Sequence, residues 1–243
     1  MPGPSTTDVE YDDGRTRMIG SLTVPSAVSC ATVLLLPDAY GVGEHAIGLA
    51  GRLAEHGHPV LVADLWGERR QPADQAEFGP MIGAMAADRT QWIGQVDAAH
   101  RALRAQPGLG TAPVVLLGYC FGGSSALEYV RTGGDVAGAV SVHGGLDILD
   151  HDWSAASSSP VLLCTGEDDP MATPEMRHDL TSAMDAAGND WQLHVYSDTV
   201  HAFTSPMAKD SPRPDVVAYS ARSTTRAWAS TLAFLREVGS PTS

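Results

Sequence analysis

Six apolar runs of strand length, separated by segments of helical or loop character, constrain most strongly what this chain can fold into. They are ATVLLLPD (31–38), HPVLVADLWG (58–67), APVVLLGYC (112–120), VAGAVSVHGG (136–145), PVLLCTGEDD (160–169) and WQLHVYSD (191–198). Four of them are apolar on both alternate faces, as strands covered by helices on both sides must be. Between the runs, EHAIGLAGRLAEHG sets Ile47, Ala50, Leu53 and Ala54 on one helical stripe ahead of Gly57. Thr173 and Pro174 read as the cap and first residue of a helix that buries Met176, Leu180, Met184 and Ala187 and stops at Gly188. Val217, Ala221, Thr224, Trp228, Leu232 and Leu235 keep helical period to the C-terminus. Parallel neighbours need crossover connections, so the alternation predicts a three-layer α/β fold with a mostly parallel central sheet and helices on both faces.

The chain reads as one domain, residues 1–243, with residues 1–20 as an N-terminal extension. Residues 68–90, rich in Pro, Gly, Gln and acidic side chains, read as a loop with short helices, a lid segment over one end of the sheet. With 15 basic and 29 acidic residues the formal charge is −14, which argues against a nucleic-acid partner. No charged leader precedes an apolar stretch and no run of 18 apolar residues occurs, so no membrane partner and a cytoplasmic address are expected. In that compartment the three cysteines are thiols. Cys30 and Cys164 read as mid-strand core residues.

Cys120 reads differently. In Gly118-Tyr119-Cys120-Phe121-Gly122 a strand ends at a glycine, presents one thiol and turns through a second glycine into a helix. That is the nucleophile-elbow pattern with cysteine in the serine position, and Gly123 would let the helix pack close. The helix N-terminus favours thiolate there, and the N–H of Phe121 points where an oxyanion would form. An elbow calls for an acid and then a histidine further along the chain. Asp168 and Asp169 follow one strand, and His201, alone among the nine histidines, stands in the loop after the last strand. No CxxC or HExxH spacing supports a metal site.

With these residues named, the chain resembles the dienelactone hydrolase family of α/β-hydrolases, from LLLPDAYGV through VADLWG, GYCFGG, VSVHGG and GEDDP to HAFTSP. The resemblance implies a Cys-Asp-His triad: Cys120 as nucleophile, His201 as base and, three residues after the glycine of GxxDP, Asp169 as acid. It implies Ala39 as second oxyanion N–H donor. It also implies a thiol-gating carboxylate after the VLLLPD strand, where the family has glutamate and this chain has Asp38. Family members acting on dienelactones clamp the substrate carboxylate with arginines, one of them four residues after the histidine, where this chain has Ser205. Arg89 is the candidate for the other clamp, with a solvated surface arginine as the alternative reading.

Tyr40, Tyr119, Phe121, His143, Trp66 and Phe203 are candidates for the pocket mouth, with ordinary packing at strand ends as their alternative. The expected activity is hydrolysis of a small-molecule carboxylic ester or lactone through a thioester, with no cofactor, by a monomer or homodimer. A thioesterase or other acyl-transferring hydrolase, and a redox-sensing module built on Cys120, are the other readings of the same residues.

Overall fold

Side chains of each apolar strand part alternately to two sides of one sheet, which is why the runs are apolar throughout. The computed structural model describes residues 3–28 and 30–239. Its strands are β1 (Ser5–Asp12), β2 (Arg17–Val24), β3 (Thr32–Leu36), β4 (Val60–Val62), β5 (Val114–Tyr119), β6 (Gly138–Val142), β7 (Val161–Gly166) and β8 (Trp191–Tyr196). They form one sheet in the order β1-β2-β4-β3-β5-β6-β7-β8, parallel from β4 to β8 and antiparallel at β1 and β2. The six expected strands are the six parallel ones.

The helices are α1 (Glu44–Glu55), α2 (Phe78–Ala87), α3 (Arg89–Arg104), α4 (Phe121–Arg131), α5 (Pro174–Ala187) and α6 (Ala221–Gly239). Val33, Leu35, Val115 and Leu117 face Leu49 and Leu53 of α1 and Phe234 and Leu235 of α6. On the other face, Leu34, Leu36 and Leu116 meet Trp92 and Val96 of α3, Leu127 of α4 and Leu180 of α5. The three layers are those expected.

Thr173 caps α5 by accepting from the Met176 N–H, and Gly188 closes it at φ 76°. Its Ala187 is exposed, so the buried stripe is narrower than expected. In α6 the buried line runs through Ala227, Thr231, Phe234 and Leu235, while Trp228 and Leu232 pack beside it, partly buried.

Several expectations are corrected. Residues 1–20 are no mere extension, because β1 and the first half of β2 lie within them and join the sheet as a hairpin. Its turn is held by the Asp13 carboxylate, which accepts from the N–H groups of Arg15 and Thr16. Cys30 lies in a bend before β3, not mid-strand, with its Sγ 3.5 Å from the His56 carbonyl. Cys164 is buried in β7 as expected, and burial pushes its thiol up to about 11. The 68–90 segment holds a 3₁₀ turn (Gln75–Glu77), α2 and the first two residues of α3.

What fixes the entry to that segment is Asp64, 1% exposed at the end of β4. One carboxylate oxygen accepts from the N–H groups of Trp66 and Gly67, and the other from Ile19 of β2 and Arg69. Tyr11 of β1 donates its hydroxyl to the Asp64 carbonyl and accepts from the Asp64 N–H. Removing a buried acceptor strands the donors around it. Asp64→Ala is therefore expected to lower stability by about 3 kcal/mol, read as a shift of the urea midpoint without a change in its slope.

Candidate active site

Gly118 and Gly122 are the residues that let a helix begin where β5 ends. A Cβ on Gly118 would stand 2.0 Å from the Gly122 carbonyl oxygen, and one on Gly122 would stand 2.0 Å from the carbonyl oxygen of Leu36 in β3. Neither neighbour is a flexible side chain. Gly123 is also close-packed, its hypothetical Cβ 2.9 Å from the Cα of Gly144. Between them Cys120 is forced to φ 51°, ψ −119°, a strained conformation for an L residue that lifts its thiol off the end of the strand.

The Cys120 Sγ lies 3.2 Å from His201 Nε2, and His201 Nδ1 donates to Asp169 Oδ2 at 2.9 Å. Asp169 is fixed in turn, its other oxygen accepting from the Met171 N–H at 2.9 Å. Asp168 is exposed, its N–H donating to the Thr199 carbonyl. Burial works against the His201 imidazolium, but the charge of Cys120 and the hydrogen bonds to Asp169 and Cys120 outweigh it and push the histidine up to about 10. The three side chains named from the sequence meet.

Behind them stands His143, at φ 40° and 1% exposed. The Cys120 N–H is shared between the Val142 carbonyl at 3.1 Å and His143 Nδ1 at 3.2 Å. With Nδ1 accepting, the proton sits on Nε2, which donates to Thr204 Oγ1 at 2.7 Å. Burial and the neighbouring His201 charge hold His143 well below the usual histidine range, so it stays neutral beside an imidazolium. Phe203, fully buried, packs its ring against His143 at 5.1 Å.

His143 and Phe203, together with Tyr119 at 5% exposure, therefore form the packing behind the thiol and not the pocket mouth expected of them. Arg89 is also corrected. Its guanidinium pairs with the fully buried Glu128 at 2.9 Å and donates to the Ile148 carbonyl, which commits it to α4. Ser205 is buried. Tyr40 is half-buried, its ring edge-on to Phe78 of α2 and its hydroxyl accepting from Gln75.

Neither the Phe121 N–H nor the Ala39 N–H donates to another described residue. Trp66 controls both positions: its Nε1 donates to the Ala39 carbonyl at 3.1 Å, and its ring stacks on Phe121 at 4.8 Å. Trp92 stacks on the other side of Phe121 at 5.1 Å and donates to Ser125. The sequence reading missed the fixing roles of Asp64, Trp66 and Thr204. The signal for Asp64 was an acid directly after an apolar strand and before Trp-Gly; for Thr204 it was only proximity to His201.

With this geometry in place the comparisons with known proteins can be weighed. A model of the dienelactone hydrolase family matches residues 18–239. The chain belongs to that family. A Bradyrhizobium sp protein described as a "probable 2-oxo-3-(5-oxofuran-2-ylidene)propanoate lactonase" is 26% identical over 213 residues, covering 84% of this chain and 82% of that protein. A crystal structure described as a dienelactone hydrolase-like promiscuous phosphotriesterase from metagenomic libraries superposes with a TM-score of 0.91 at 33% identity, over 98% of this chain and 100% of that one. The dienelactone hydrolase from Anabaena variabilis shares the fold, with a TM-score of 0.68 at 18% identity over 96% of this chain and 98% of that one. The chain is thus a hydrolase with the α/β-hydrolase fold.

In this dienelactone hydrolase family member Asp38, two residues beyond β3, accepts from the Tyr40 N–H at 3.0 Å. Burial pushes its carboxyl up to about 6, against the opposing pull of the Tyr40 N–H and the His201 charge. Below that pH Asp38 is neutral, and above it an anion beside the His201 imidazolium. His201 itself stays protonated through this range. Alkylation of Cys120 by iodoacetamide, followed by mass from pH 4.5 to 8, should show an inflection near 6 as Asp38 ionises. The inflection should be absent from Asp38→Asn.

Proposed function

We propose that this hydrolase cleaves small lactones and carboxylic esters by two-step acyl transfer through Cys120. The observation that carries the proposal is the unbroken line Cys120 Sγ, His201 Nε2, His201 Nδ1, Asp169 Oδ2 on a strained strand-to-helix turn. Asp169 holds the imidazole so that Nε2 faces the thiol and stabilises its positive charge. The thiolate attacks the carbonyl carbon, and the N–H groups of Ala39 and Phe121 receive the developing oxyanion. The intermediate collapses to a thioester as His201 gives its proton to the leaving alkoxide. Water then attacks the thioester, passing its proton to His201, and the acid product leaves with the thiolate restored.

The carboxylate-clamping arginine that the resemblance implies four residues after His201 is replaced by Ser205, and Arg89 is committed to Glu128. With a net charge of −14 on the whole chain, uncharged lactones and esters fit better than substrates bearing a free carboxylate. Good leaving groups favour a sulfur nucleophile, so activated esters should turn over and unstrained amides should not.

Mixing with 4-nitrophenyl acetate tests the mechanism. Intact mass should show an acetyl adduct on the parent and none on Cys120→Ala, with turnover lost in that variant. His201→Ala should abolish turnover, and Asp169→Asn should reduce kcat by roughly a thousandfold or more. Turnover unchanged in Cys120→Ala would overturn the proposal.

A further inference from the structure

We propose that a cavity between α1 and α6 is a second, non-catalytic binding site, for a small monocarboxylate with a flat apolar body. The cavity measures about 310 Å³, at the small end of ligand pockets, and Cys120, Asp169 and His201 are not among its lining residues. Tyr119 lines it, and its hydroxyl, which is not among the buried unpartnered atoms, makes no hydrogen bond to any described residue. That hydroxyl keeps its donor free for an occupant of the cavity.

At the mouth stands Arg52. Among the described residues no carboxylate lies within ion-pair distance of it, although the chain carries 29 acidic residues. Its guanidinium carbon rests instead 4.0 Å over the ring of Trp228. The Arg52 charge reaches inward, opposing the upward push of burial on the Tyr119 phenol and adding to the downward push of burial on His45, which also lines the cavity. Arginine, phenol and neutral imidazole are all able to donate to one anion.

Other walls set the size and charge of the occupant. Leu49, Ala227 and the Trp228 ring offer a flat apolar surface. Glu44, exposed in the first turn of α1, is the one carboxylate in the lining and disfavours a second negative charge. Thr204 lines the inner side and is two hydrogen bonds from the nucleophile, through His143 to the Cys120 N–H. An occupant would therefore sit against the residues that hold the elbow without touching the thiol.

Benzoate, with benzamide as its uncharged counterpart, is the probe. Calorimetric titration is done on the full chain, unmodified and with Cys120 alkylated by iodoacetamide to block the catalytic cleft. Saturable one-to-one binding of benzoate to both forms is expected, with benzamide weaker by about tenfold or more. Arg52→Met should weaken benzoate by about tenfold and Tyr119→Phe by about threefold. Arg52→Lys, which keeps the charge, should retain part of the affinity and serves if the methionine variant misfolds. No saturable binding, equal binding of benzamide, or indifference to both Arg52 variants would overturn the proposal. Loss of binding on alkylation would overturn it too, by placing benzoate in the catalytic cleft. Because the readout is binding and not turnover, the result is independent of whether the thioester mechanism holds.

Discussion

The passage of α4 against the end of β3 with no side chain between them is the contact on which the site depends. A methyl group on Gly122 would meet the carbonyl oxygens of Leu36 and Pro37 at 2.0 and 2.5 Å, so only hydrogen allows the approach. Closeness at that point brings the start of α4 beside the peptide that leaves β3. The two unengaged N–H groups, Phe121 and Ala39, belong to those two segments. Strain at Cys120 is the local cost, offset by the hydrogen bonds on its N–H and the helix that its carbonyl begins.

Charge is arranged around the same point by burial. His201 remains an imidazolium because Asp169 and Cys120 outweigh the loss of water, while His143, whose ring lies 5.4 Å from it, is kept neutral by the same loss. Two imidazoles in contact thus differ in protonation, and the neutral one can accept from the nucleophile's own N–H. Asp38 and Asp147 also feel the His201 charge, and burial raises both carboxyls. The site holds one strong cation and grades the anions around it by how much water each retains.

Much of this was legible in the sequence, for a physical reason in each case. The parallel strands stood out because both faces are buried, and the nucleophile, acid and histidine because each ends a strand and chain order follows topology. β1 was hidden: its outer face is exposed and carries Asp8, Glu10 and Asp12, so only Val9 is buried along it. Arg89 was misread because Glu128, which claims it, is distant in the chain and only the packing of α3 on α4 brings them together. Trp66 on Ala39, Asp64 on Ile19 and Thr204 on His143 are likewise pairs made by tertiary contact. Single-residue patterns carry no signal for such pairs.

The Tyr11 to Asp64 clamp gives the first strand a reach that its exposed face conceals. The family match begins at residue 18, within β2, so the strand bearing Tyr11 lies outside the matched part. Yet Tyr11 grips both main-chain groups of Asp64, Asp64 orients Trp66, and Trp66 holds the carbonyl of Ala39. The opening residues of the chain, where sequences drift and fusions are attached most freely, are mechanically in series with the peptide beside the thiol. Variation there is a means of tuning the site's rigidity that leaves every residue of the triad untouched.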